Sequence, residues 1–150
     1  MTFDGDIQRG IIVRPAAGET LRVLLDGSGS DSALSVVEMV LAVGSGGPPL
    51  HLHPTHAEGF YVLAGELTVQ LGDEVLTGGP GTWACAPKNT PHTLGNLGAE
   101  DVRLLCMFAP AGFERRFQRM LAHPAARDAP ERTEAELHTK LLGPPLTTRP

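Results

Sequence analysis

Six histidines stand in the 150-residue chain, and four of them, His51, His53, His56 and His92, fall in its middle third. His51 and His53 are separated by one residue, so on a strand both imidazoles point to the same face. Glu58 follows beyond Pro54-Thr55, at the start of the next strand-like run. That is the hairpin spacing that gathers three ligands from two neighbouring strands. His92 arrives from a third run, after Pro91. Three imidazoles and one carboxylate converging inside a β-barrel make a site for one divalent transition metal: Fe, Mn, Ni, Co or Zn. The imidazoles must be neutral to bind, a condition met near neutral pH. His56 is open to three readings: support behind the ligands, competition with Glu58 for the metal, or an exposed loop position. His123 and His138 lie in the tail and are expected on the surface.

The elements that must position these groups are short strands. Eighteen Gly and thirteen Pro punctuate the chain, most densely before residue 110. Between the breaks sit β-type runs at Ile11–Arg14, Leu21–Leu25, Leu34–Val43, Leu50–His53, Gly59–Ala64, Leu67–Leu71, Glu74–Leu76, Thr82–Ala86, His92–Leu94 and Val102–Phe108. Short strands with frequent turn signals predict a sandwich or barrel. The character changes after Pro110-Ala111-Gly112. Phe113, Phe117, Met120 and Leu121 recur at helical spacing, and Pro124 ends the pattern. A second short helix is expected over Glu131–Leu142, before Gly143-Pro144-Pro145. The expected organisation is an all-β barrel over residues 1–110. A helical extension, 111–150, packs on its outside and is not needed for metal binding.

Period-two logic extends the site into a pocket. If Glu58 points inward, so do Phe60 and Val62, and Leu94 shares the face of His92. Cys106 aligns with Leu104 and Phe108. Val37, Met39 and Leu41 face the interior because the opposite parity would bury Glu38. A pocket lined by Met39, Leu41, Phe60, Val62, Leu94, Cys106 and Phe108 is mostly apolar. It suits an uncharged or aromatic molecule that reaches the metal through oxygen. The pocket-facing positions of these strands include no Lys or Arg, which speaks against sugar phosphates and polycarboxylates. Cys106 reads either as a reactive thiol near the base of the pocket or as inert packing.

Two spaced motifs carry a family resemblance. From His51 onward, His51-Leu52-His53, Glu58 and Gly65 fit G-x5-H-x-H-x3,4-E-x6-G, with Ser45 in place of the leading glycine and Gly44, Gly46 and Gly47 around it. Gly81, Pro87, His92 and Asn96 fit G-x5-P-x-G-x2-H-x3-N, with Asn89 where a glycine is usual. Asn is the ordinary residue best able to take a positive φ, so that turn survives the exchange. In this order and spacing the motifs resemble those of the cupin superfamily. The resemblance implies a double-stranded β-helix (jelly-roll) fold and assigns His51, His53, Glu58 and His92 as metal ligands. Pro48-Pro49-Leu50-His51-Leu52-His53, Glu58–Leu63 and Gly143–Leu146 are similar to stretches of quercetinase-type, single-domain cupins. That resemblance implies a metal-dependent dioxygenase acting on a hydroxylated aromatic or enol, with Glu58 as both ligand and proton acceptor. The alternatives are a redox-neutral isomerase or cyclase using the metal as a Lewis acid, and a metal-binding protein without turnover.

Composition narrows the partners. The formal net charge is −5, and residues 1–110 hold five basic side chains against twelve acidic ones. Such a chain repels phosphate backbones, so nucleic acid is not an expected partner. No apolar run is long enough for a membrane helix, and the first residues do not read as a signal peptide. Two cysteines, Cys85 and Cys106, are too few for a disulfide framework. A cytoplasmic protein with reduced thiols is expected. Its partners are a small-molecule substrate, dioxygen in the oxygenase reading, and a second copy of the chain. The homodimer is expected because open sheet edges need covering and Ile7–Val13 can reach across to a partner sheet.

Overall fold

The computed structural model describes residues 12–13, 18–122 and 139–146. Ten strands occupy the expected runs: β1 (Ile12–Val13), β2 (Glu19–Leu25), β3 (Ser35–Leu41), β4 (Leu50–Leu52), β5 (Ala57–Ala64), β6 (Leu67–Leu71), β7 (Glu74–Gly78), β8 (Trp83–Ala86), β9 (His92–Gly95) and β10 (Val102–Ala109). They form two antiparallel sheets, ordered β1-β2-β3-β10-β5-β8 and β4-β9-β6-β7, an arrangement consistent with a jelly roll. An eleventh strand, β11 (Lys140–Gly143), extends the second sheet beside β4. Ile12 and Val13 pair with Arg22 and Leu21 of their own chain, and residues 7–11 of the expected dimer arm lie outside the described residues.

Alternation decides which face of each strand is buried. On β3, Ser35, Val37, Met39 and Leu41 are buried, while Val36, Glu38 and Val40 are only partly so. Glu38 is thereby turned outward, where it takes Arg22 at 2.9 Å and Arg103 at 2.8 Å. Leu21, Val37, Leu41, Phe60, Leu104, Cys106 and Phe108 belong to one buried core. Each large apolar side chain there contributes about 2 kcal/mol by leaving water.

The tail departs from expectation. Among the described residues there is one helix, α1 (Arg115–Ala122), not two. Most of the second expected helix lies outside the described residues, and its end, Lys140–Leu142, is strand. The edge of β4 accounts for that difference: its backbone groups pair with the tail in the register Lys140↔Leu52, Leu141↔His51 and Gly143↔Leu50. Helix α1 is fixed at its start by Glu114, which is 1 % exposed. Its carboxylate accepts the N–H groups of Gly27 at 2.8 Å and Gly112 at 2.6 Å. Phe113 and Phe117 are buried; His123 and His138 lie outside the described residues. No helix among the described residues is long and apolar enough to cross a membrane.

Candidate metal centre

His51 lies on β4 directly opposite His92 at the start of β9, and His53 follows β4 by one residue. Glu58 enters from β5 of the other sheet, so the four side chains meet between the sheets. Each offers one donor atom, and these atoms lie within 4.8 Å of one another. All four residues are buried. Two turns hold the strands in place. Asn89 takes φ 62° and donates its N–H to the carbonyl of His53 at 2.9 Å, as the turn reading of that position requires. Asn96 is fully buried and donates from its side-chain amide to the carbonyls of Leu41 and Glu100.

The outer ring nitrogens are engaged. His51 Nδ1–H donates to the Pro49 carbonyl at 2.6 Å, and His92 Nδ1–H to the Thr90 carbonyl at 2.8 Å. His53 Nδ1 shares a hydrogen bond with Thr139 Oγ1 at 3.2 Å. This arrangement turns Nε2 of each ring inward as a ligand would need. His53 Nε2 and His92 Nε2 both meet Glu58 Oε2, at 3.0 Å and 2.9 Å. His92 thus has an acceptor at each nitrogen, a geometry that calls for a cation at Nε2, either a proton or a metal ion.

The electrostatics follow from this packing. Burial, aided by the charge of His92, pushes the His51 imidazole down to about 4, so it stays neutral and keeps a lone pair. Burial would lower His92 as well, but the hydrogen bond and charge of Glu58 outweigh it and raise the group. Burial would raise Glu58, yet the hydrogen bonds from His53 and His92 hold its carboxyl well below the usual carboxylate range. Three nitrogen donors and one anionic oxygen, buried and oriented from behind, fit a divalent transition ion.

His56 is not an exposed loop residue. It is 3 % exposed and stacks on His53 with ring centroids 4.2 Å apart, and Phe113 packs against both rings. It stands outside the four-residue donor cluster and packs behind it.

A cavity of about 240 Å³ opens beside the cluster and exposes His51 and Glu58. Met39, Leu94 and Phe108 line it, as period two implies. Leu41, Phe60, Val62 and Cys106 are packed in the core instead, and Phe60 and Val62 border a separate small void. Burial, together with the charges of Glu58 and Glu19, raises the Cys106 thiol well above its ordinary range, which suits packing rather than reactivity. The remaining wall comes from parts of the chain that the sequence did not assign to the pocket. Phe113, Arg116 and Phe117 of the helical segment line it, with Thr139 and Leu141 of the tail and Glu19 of β2. The extension therefore closes the cavity rather than covering an outer face, and it brings a guanidinium to a wall expected to have no cation. Stepping back two positions from Leu21 would have placed Glu19 inside. No comparable signal marks Arg116.

Comparisons with known proteins agree with this geometry. Residues 37–108 match the family model described as "Cupin domain". An uncharacterized protein of Methanocaldococcus jannaschii is 33% identical over 76 residues, covering 51% of this chain and 60% of the relative's length. KdgF from a Halomonas species matches in structure with TM-score 0.62 and 24% identity, over 70% of this chain and 90% of that one. The polyketide cyclase RemF from Streptomyces resistomycificus matches with TM-score 0.59 and 22% identity, over 73% and 80%. At these identities the structural likeness concerns the fold.

Proposed function

We propose that the chain, whose residues 37–108 match the cupin-domain family model, is a metal-dependent dioxygenase of a hydroxylated aromatic or enol small molecule. One observation carries the reading: a buried three-imidazole, one-carboxylate cluster opens onto a mainly apolar cavity of about 240 Å³. His51, His53, Glu58 and His92 would hold the ion, which when bound supplies Lewis acidity and access to dioxygen. Phe108, Phe113 and Phe117 give a flat substrate aromatic walls and exclude water. Glu58 faces the cavity and receives the proton of the substrate hydroxyl at its carboxylate. Dioxygen is the oxidant; both its atoms enter the substrate as a carbon–carbon bond of the enol breaks, so no external reductant is needed.

The test is oxygen uptake by the metal-replete protein with a panel of flavonols and catechols. Uptake matched to substrate loss, and abolished in Glu58→Gln while part of the metal remains, supports the proposal. Substrate conversion without oxygen uptake selects the second reading, a redox-neutral cyclase or isomerase. One observation favours that alternative: a second carboxylate, Glu19, in the cavity wall.

A further inference from the structure

The cavity has a second polar end that the four-residue cluster does not use. Across the six-stranded sheet, Glu58 is level with Phe108, and Phe108 with Ser35 at the start of β3. Glu19 is level with Leu41, at the opposite end of β3. Both carboxylates nevertheless line the same cavity, and the wall they share is apolar: Met39, Leu94, Phe108, Phe113 and Phe117. Glu19 is 6 % exposed. Burial raises its carboxyl above the ordinary range, and the charge of Arg116, on the same wall, opposes that rise and favours the ionised form. A buried carboxylate is stabilised by each donor it meets, and because Glu19 lines the cavity, a hydroxyl on a ligand there can supply one.

We propose that Glu19 is a specificity-determining residue, accepting a hydrogen bond from a hydroxyl at the end of the substrate remote from His51 and Glu58. The substrate class is then a flat aromatic molecule bearing oxygen groups at both ends, rather than one whose polar atoms all gather at one end. The inference rests on the function proposed above and deepens it. Arg116 and Phe117 hold the helix side of the wall, while Glu19 reads the group that reaches the far end.

The experiment is an anaerobic binding titration of the metal-loaded chain with two probes. Flavonol carries only the chelating hydroxy-ketone; kaempferol has the same skeleton with hydroxyls on both outer rings. Wild type should bind kaempferol about tenfold more tightly, the scale of one hydrogen bond to a charged group. Glu19→Leu, an apolar replacement for a buried site, should level the two ligands while metal content and flavonol affinity hold. Glu19→Gln, which keeps an acceptor oxygen, should retain part of the preference. An undiminished preference in both variants overturns the inference and leaves the metal-centre function standing. Equal weakening of both ligands also overturns it, because Glu19 would then only brace the helix. Failure of metal-loaded wild type to bind either flavonoid overturns the proposed function, and this inference with it.

Discussion

The barrel strands and the tail build the cavity in different ways. The barrel supplies all four cluster residues, three from strands and His53 from just after β4, and two of the three imidazoles are oriented by main-chain carbonyls, those of Pro49 and Thr90. The tail supplies wall and closure: Phe113, Arg116 and Phe117, then Thr139 and Leu141. One side chain crosses between these roles, since Thr139 orients His53. The barrel's hold on its ligands is therefore insensitive to most side-chain changes, whereas the tail's contribution depends on individual side chains.

The largest effect should come from Phe113, whose ring lies within 4.7 Å of His53 and 5.0 Å of Phe108, centroid to centroid, and also packs on Phe117. Phe113→Ala should cost about 3 kcal/mol by denaturant unfolding, the scale of a buried aromatic truncation. A loss near zero would detach the tail from the site. A sharper contrast pairs two threonines. Thr139→Val should weaken metal binding about tenfold, because it removes the side-chain partner of His53. Thr90→Val should leave affinity unchanged, because His92 is held by the backbone carbonyl. Equal effects would erase the distinction between the two regions.

The pH dependence belongs to the barrel side. His92 is raised above its ordinary value near 6.5 by its bond to Glu58. In protein stripped by a chelator, that pair adds stability fully present below about pH 6.5, and the gain is lost as pH rises through the raised value. Metal competes with the same proton, so metal affinity should climb over that interval. Titrations at several pH values check both slopes, and flat profiles would mean that His92 and Glu58 do not share the site's charge. The smallest effect is expected on the outer face, where Glu38→Gln should lower stability by about 1 kcal/mol or less and leave metal binding alone.

Much of the barrel was legible because strand alternation and turn chemistry are local. His51-Leu52-His53 places two rings on one face whatever surrounds them, and Asn89 could replace glycine because its φ is 62°. The tail was not legible for the opposite reason. Leu137 and Leu141 are spaced for a helix, yet Leu141 pairs with His51, a contact set by the open edge of β4 rather than by local preference. His56 follows Pro54-Thr55 and looks like a loop tip; the rings that bury it include Phe108 and Phe113, far along the chain. Glu19 escaped notice because an acidic residue at the head of a strand reads as a solvated end.

The central claim is that His51, His53, Glu58 and His92 hold one divalent metal. Metal analysis of chain purified without chelator or nickel resin tests it most directly, comparing wild type with His51→Ala and His92→Ala. One equivalent per chain in wild type, mostly lost in both variants, is the predicted result. Metal content that is the same in all three proteins would contradict it.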